Sequence, residues 1–403
     1  MSQDTFEVDI AIIGGGIAGL WLHNRLRRRG YSVVLVEQDH LGGRQTLLSQ
    51  GIIHGGLKYA LGGGLSSESE AIAGMPARWR DCLAGHGDLD LSRVRVLSDA
   101  QYLWSAGSVA SRMTTFFASR MLRGRIHKLR FDDYPSALHD RGFRGRVYQL
   151  DDLVVDTESL VRELVQPHAE AMLRFDPERD HLEWDEEGVA AIQLEGVRIE
   201  PECTILAAGE GNGDLLKAAH RQGLAGDMEL QRRPLKMMLL RHRLPYRLYA
   251  HCIGHGSKPR LTVTTHELPD GSLLWYLGGE LAEQGADLSD AELTDYTRRE
   301  LEQLLPWLDF GDAELVPLAV DRAEPLQNDG SKPDKAWARR DRRLVVTWPT
   351  KLTLAPDLGD RVEQLLAEGD WHPRHGQPML PPTLKRAAPA HPDWYQIFGV
   401  EHG

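Results

Sequence analysis

The chain opens with apolar runs separated by segments that cannot continue them. Val8-Asp9-Ile10-Ala11-Ile12-Ile13 is apolar and short enough for a buried parallel strand, and it feeds Gly14-Gly15-Gly16-Ile17-Ala18-Gly19. Leu20 to Arg29 then reads as a helix, and Tyr31 to Val36 as a second strand that ends on Glu37. Strand, glycine turn, helix and strand with a terminal carboxylate is the order a βαβ dinucleotide site requires. Gly14 permits the tight turn, Gly16 lets backbone approach a pyrophosphate, and Gly19 lets the helix pack close to its strand. The pyrophosphate would rest on the helix N-terminus, where unpaired N–H groups favour negative charge. Glu37 is placed to accept hydrogen bonds from an adenosine ribose, and its charge repels a 2′-phosphate. On these residues alone, NAD and FAD both stand.

Beyond Glu37 the glycines continue: Leu41-Gly42-Gly43-Arg44-Gln45-Thr46, then Ser49 through Tyr59, then Gly62-Gly63-Gly64. Such a density suggests backbone running close to a large flat ligand. Gly107 to Leu122 reads as an amphipathic helix, and Asp156 can N-cap another over Thr157 to Val165. A strand from Val197 to Leu206 runs into Ala207-Ala208-Gly209. From about Gln231 to Val320, the β-prone runs Leu235 to His242, Arg260 to Thr265 and Ser272 to Gly278 are broken by turn residues and predict an antiparallel sheet. Ser289-Asp290-Ala291-Glu292 is a capping box for a helix to about Leu305, stopped by Pro306. Arg343 to Trp348 predicts a last strand, followed by a loop and a helix. In the tail from Trp371, prolines 373, 378, 381, 382, 389 and 392 exclude a long helix. Trp394, Tyr395 and Phe398 argue for a packed strap, with a lid or an oligomer contact as the alternative.

Composition narrows the class. A chain of 403 residues with 41% hydrophobic content can bury a large core, divided into about two to three domains. The formal charge of −12 argues against a surface that coats nucleic acid or membrane. Locally the balance reverses: Arg112, Arg120, Arg123, Arg125, Lys128, Arg130, Arg141, Arg144 and Arg146 outnumber the nearby aspartates. That segment is either a solvated, paired surface or a funnel for an anionic substrate. Cys82, Cys203 and Cys252 are few and widely spaced, as expected of reduced thiols in a cytoplasmic protein. His251, Cys252, His255 and His266 match no zinc ligand spacing, so no metal is expected. No apolar run reaches the ~18 residues of a membrane span, and a strand beginning by Val8 leaves no room for a signal peptide.

Gly51-Ile52-Ile53-His54-Gly55-Gly56-Leu57-Lys58-Tyr59, following the glycine fingerprint and a loop that ends on Thr46, resembles the flavin-dependent oxidoreductases of the D-amino-acid-oxidase superfamily. The likeness is strongest to the branch of glycerol-3-phosphate dehydrogenases and L-2-hydroxyglutarate oxidases, and is close through Tyr59. Further on, Thr204 to Gly209 is similar to the family's Val-Leu-Ala-Ala-Gly-Ala strand, and Leu352-Thr353-Leu354-Ala355-Pro356 to its C-terminal flavin turn. The resemblance implies an α/β architecture: a Rossmann-like FAD-binding domain of the glutathione-reductase type with an antiparallel-sheet α+β substrate domain. Residues 1–80, 151–228 and 320–370 would form the discontinuous FAD domain, 81–150 and 229–319 the substrate domain, and 371–403 an extension.

The same resemblance implies FAD contacts from Gly14, Gly16, Ile17, Ala18, Gly19, Glu37, Gln38, Arg44, Gln45, Thr46, Gly51, Ile53, Ala208, Gly209, Lys351, Leu352 and Thr353. Lys351 either adds positive charge at the flavin N1 edge or points to solvent. His54 is the candidate base, with a covalent flavin link and a structural histidine as alternatives. Arg322 stands where the family's arginine holds a substrate carboxylate, against an ion pair with its neighbours, and Tyr276 is a further substrate contact. The implied activity is oxidation of a CH–OH or CH–NH group of a small anionic substrate by hydride transfer to flavin N5, with oxygen, a quinone or a carrier as electron acceptor. The alternatives are an FAD enzyme acting on a modified tRNA base, motivated by the basic segment, and a flavin-binding protein without turnover.

Overall fold

A strand covered on both faces buries every residue rather than alternate ones, and residues 8–13 are all buried. The structure is a computed structural model and describes residues 4–56, 72–105, 126–254, 258–327, 333 and 335–401. Asp4–Ile13 lies between Val33–Glu37 and Val197–Leu206, parallel to both. Leu344–Trp348 extends the parallel pairing beyond Val197–Leu206, and Met172–Arg174 extends it beyond Val33–Glu37. His181–Trp184, Val189–Leu194 and Trp337–Asp341 complete an eight-stranded sheet. Ile10 and Ile12 face one core, shared with helices Ile17–Arg28, Thr157–Val165 and Ala355–Glu368. Ala11 and Ile13 face the other, shared with helix Asn212–Arg221.

Local signals set the helix ends. Asp156 Oδ1 accepts from Ser159 N at 2.8 Å, and the Ser289–Glu292 capping box opens helix Asp290–Leu304. The first and last long helices are joined by Arg25, whose guanidinium is buried against Glu363 (2.7 Å), Asp360 (2.7 Å) and the Pro356 carbonyl (3.1 Å). Gly359 makes the space, since a Cβ there would lie 2.5 Å from Arg25 Nη1.

The second layer is an eight-stranded sheet in the order Glu314–Pro325, Leu230–His242, Leu273–Gly278, Pro259–Glu267, Ala250–Ile253, Gln101–Ser105, Arg146–Leu150, Ile126–Lys128. It is antiparallel except where Ala250–Ile253 runs parallel to Gln101–Ser105. Met238, Leu240, Trp275 and Leu277 pack against helix Asp290–Leu304. The opposite face, with Met237, Leu239 and Tyr276, turns towards Leu48 of the first layer. A three-stranded sheet of Ile52–Ile53, Leu153–Val155 and Val96–Ser98 sits at the junction. Trp79, Cys82, Leu89, Leu91 and Val94 join the first core, and the second sheet takes up the chain at Gln101.

The tail is a strap across both layers. Leu41 N donates to Ala388 O and Ala390 N to Leu41 O, while Arg174 N donates to Lys385 O. Trp394 then inserts beside Tyr276 and His266. The helix expected over Gly107 to Leu122, the Leu57-Lys58-Tyr59 end of the histidine turn and His255 lie outside the described residues. Among the described residues, no helix is long and apolar enough to cross a membrane.

Candidate functional site

Gly14 has φ +110°, and a Cβ there would lie 2.4 Å from Ala208 Cα, so only glycine allows the first turn to meet the Ala207-Ala208-Gly209 end of the neighbouring strand. At Gly19 a Cβ would fall 1.9 Å from the Gly14 carbonyl oxygen. At Gly16 it would meet Thr46 Oγ1 at 3.5 Å and nothing else within 4 Å, so the cradle is open on that side. The start of the first helix is pinned by Thr46, whose Oγ1 accepts from Ile17 N at 2.9 Å, with Ile17 and Ala18 buried behind it. Glu37 braces the glycine turn from the second strand: Oε2 accepts from Gly15 N (2.6 Å) and Oε1 from Asp39 N (2.7 Å). Gly209, at φ +58°, accepts from Trp348 Nε1 at 3.2 Å, and Gln45 Oε1 lies 3.6 Å from where its Cβ would stand. Ala208 N donates to Asn212 Oδ1 at 2.9 Å. Gln38 and Arg44 are exposed, with Arg44 Nε 4.0 Å from Asp39 Oδ2.

A second group of residues gathers where the two layers meet. Gly51, at φ +68°, lies so close to Val155 O that a Cβ would stand 2.1 Å from it. The pairs Ile52↔Val154 and Ile53↔Leu153 then set His54 against Asp152. Asp152 Oδ2 is 3.1 Å from His54 Nδ1, and its Oδ1 accepts from Gly55 N at 2.8 Å. Thr353 Oγ1 accepts from His54 N (2.9 Å) and donates to Ile52 O (3.2 Å), while its carbonyl accepts from Trp79 Nε1 (3.0 Å). Thr353 thereby ties the histidine loop to the start of the last long helix, behind half-buried Lys351 and Leu352. From the second sheet, His251 brings its ring to 5.8 Å from that of His54, centroid to centroid, and its Nδ1 lies 2.9 Å from Thr262 Oγ1. Gln50 Nε2 donates to Tyr276 O at 2.8 Å, fastening the same loop to the second sheet.

At the glycine end these residues fit a dinucleotide, with an opening at Gly16, helix N–H groups and a strand-end carboxylate, and polar side chains gather between the two layers at the junction. Residues 9–323 match the family model described as FAD dependent oxidoreductase. The chain belongs to that family.

This FAD-dependent oxidoreductase is 47% identical over 396 residues to a probable FAD-dependent oxidoreductase of Pseudomonas aeruginosa, covering 97% of this chain and 98% of the relative. The crystal structure of an FAD-dependent oxidoreductase from that organism superposes with a TM-score of 0.84 at 43% identity, covering 99% of this chain and 100% of that one. Two more distant structures share the fold: glycine oxidase from Geobacillus kaustophilus (TM-score 0.64, 17% identity, 94% and 99% covered) and FAD-bound L-α-glycerophosphate oxidase from Mycoplasma pneumoniae (0.60, 15%, 93% and 100%).

Tyr276 and Arg322, expected from sequence as substrate contacts, both stand on the second sheet. Tyr276 is fully buried, its hydroxyl donates to Leu48 O at 2.8 Å, and its ring packs on Trp394. Burial raises its pKa, and the residue joins the second sheet to the loop and the tail. Arg322 stands on the edge strand opposite Arg233, four strands from that of His251, beside the Arg233–Glu324 pair at 3.7 Å. Of the histidine and cysteine group, Cys252 belongs to the core on the far side of the sheet and His266 packs on Trp394, so these do not meet His251. His251 instead joins His54 and Asp152, three buried groups whose ligand atoms lie within 4.8 Å of one another. Asp152 escapes sequence reasoning: only its position before a strand that pairs with the histidine turn marks it.

Proposed function

We propose that the enzyme oxidises a CH–OH or CH–NH group of a small anionic substrate, a 2-hydroxy acid, a glycerol phosphate or an amino acid. The observation that carries this reading is His54, buried on the first layer, hydrogen-bonded through its peptide to Thr353 and facing His251 of the second sheet. Gly14, Gly16, Gly19, Glu37 and Thr46 would hold the adenosine and pyrophosphate end of FAD, and Gly51, Ile53, Gly209, Lys351, Leu352 and Thr353 its flavin end. When bound, FAD supplies the acceptor for two electrons and a carbon-bound hydrogen. The chain itself positions the substrate, excludes water, and takes the heteroatom proton at His54. Lys351 and the helix start behind it would set positive charge beside the flavin end.

The named activities of the structural relatives, glycine oxidase and glycerophosphate oxidase, lie within this substrate class. Oxygen, a quinone or a protein carrier would receive the electrons. A modified tRNA base as substrate draws only on the basic segment, of which Lys128, Arg130, Arg141, Arg144 and Arg146 are described; Arg130 already pairs with Asp133 at 3.1 Å. We place the division between the layers near residue 100 rather than at 81. The test is direct: the purified protein is checked for flavin absorbance and mixed anaerobically with hydroxy acids, polyol phosphates and amino acids. Bleaching by one of these classes supports the reading. A protein that cannot be loaded with FAD, or a flavin bleached by none, sinks it. Retention of RNA at low salt would turn attention to tRNA.

A further inference from the structure

Asp152 is fully buried, and its two oxygens are divided between the ring and the peptide that follow Ile53: Oδ2 faces His54 Nδ1 at 3.1 Å and Oδ1 accepts from Gly55 N at 2.8 Å. A carboxylate so far from water stays ionised only where donors reach it, so the ring nitrogen facing it carries the proton. The neutral His54 ring is thereby fixed as the Nδ1–H tautomer, with Nε2 as its basic nitrogen. Across the junction, His251 is oriented by Thr262, its ring 5.8 Å from that of His54 and tilted 30° to it. Two imidazolium ions this close repel, and one carboxylate offsets one of them. The cluster is therefore built to take up a single proton, the number that leaves a CH–OH or CH–NH group on oxidation.

We propose that His54, Asp152 and His251 form one proton-handling substrate site. Asp152 is a positioning residue that sets the tautomer and orientation of His54. His251 contacts the substrate, hydrogen-bonding the oxygen or nitrogen from which His54 takes the proton. This rests on the oxidation reading above. In the balanced step, the O–H or N–H bond breaks onto His54 Nε2 and the electron pair left on the heteroatom becomes the second bond to carbon. The C–H pair leaves with its hydrogen to FAD, which is reduced by two electrons. Asp152 remains ionised and offsets the imidazolium, as the aspartate does in an Asp-His pair.

The experiment uses the FAD-loaded enzyme labelled with 15N in histidine, compared with D152A, D152N, H54Q and H251Q by histidine-selective NMR. The two histidine variants assign the two rings. The expected result is His54 protonated at Nδ1 in the parent, loss of its exchange-protected Nδ1–H in D152A, and a shift towards the Nε2–H tautomer in D152N, whose amide can donate. The near-isosteric D152N decides the matter if D152A fails to fold. An Nε2–H tautomer in the parent, or no change in either variant, overturns the role of Asp152. Stoichiometric metal that is lost in H54Q overturns the whole assignment in favour of a metal site.

With the substrate found by the anaerobic screen, D152N is expected to lower kcat about 10²-fold. H251Q is expected to raise KM about tenfold while kcat stays within about threefold. Unchanged kcat in D152N, or unchanged KM in H251Q, overturns the corresponding role. A screen in which nothing bleaches the flavin counts against the oxidation reading and against His251 as a substrate contact, while the tautomer measurement still decides Asp152.

Discussion

Gly14 carries two constraints at once, a left-handed φ of +110° and a Cβ position 2.4 Å from Ala208 Cα. Gly14→Ala is expected to destabilise the protein by roughly 2–5 kcal/mol, as backbone strain and overpacking add, and to release FAD. Urea unfolding and flavin absorbance after dialysis check this, and a yellow G14A with wild-type stability would contradict it. His266 offers a pH test. Burial pushes its pKa down to about 4, with Asp156 raising and Arg95 lowering it further within that environment. The unfolded chain binds this proton near 6.5 and the folded one only near 4. His266 therefore costs nothing above pH 6.5 and weakens the fold progressively as pH falls from there to about 4. His266→Gln should flatten that part of the urea midpoint against pH, and an unchanged slope would exclude the histidine as its source.

Between elements, Arg25 links helix Ile17–Arg28 to helix Ala355–Glu368. Burial raises the pKa of Glu363, but hydrogen bonds from Arg25 and Arg29 outweigh it and hold the carboxyl below its usual 4.5. A carboxyl lowered in this way stabilises the fold fully above about pH 4.5, and that contribution is lost as pH falls through the folded value. Arg25→Met is expected to cost about 2–3 kcal/mol at pH 7, less than breaking a fully buried pair because Asp360 is half exposed. It should also make acid unfolding begin at higher pH, with Glu363 held down by Arg29 alone; circular dichroism from pH 7 to 3 reads both effects.

What could be read from sequence at this scale follows from the range of the forces. The first strand-turn-helix-strand, the Asp156 cap and the Ser289 capping box depend on neighbours within a few residues, and all are present. The pairing of His54 with Asp152 depends on the register of two strands separated by 98 residues, which no local pattern encodes. His251, Cys252 and His266 are near in sequence, but alternation along the strand sends His251 and Cys252 to opposite faces. The hydrogen bond from Tyr276 to Leu48 is hidden from sequence for a related reason: the two lie 228 residues apart.

At the scale of the molecule, the C-terminal strap holds the layers together. His391 Nδ1 and Tyr395 OH each lie 2.9 Å from a Glu158 carboxylate oxygen on the first layer, while Trp394 and Phe398 are buried on the second sheet. Removing residues 391–403 is expected to cost about 3–5 kcal/mol, the scale of losing one buried tryptophan. It should also split the calorimetric transition into two as the layers uncouple, and a single unshifted transition would show the strap to be dispensable.

The order of the strands has a consequence for the protein while it is being made. Asp4–Ile13 finds its neighbour Val197–Leu206 only after the intervening residues 14–196 have been synthesised, and the helix that covers Arg25 comes later still, ending at Glu368. On the ribosome, residues 4–37 therefore emerge well before the strand and the helix that cover them. Trp21, Leu22 and Leu26, all buried in the finished fold, share a core with helix Ala355–Glu368, so their cover is complete only once that helix has been made. It is this stretch that chaperones will hold until the later segments arrive.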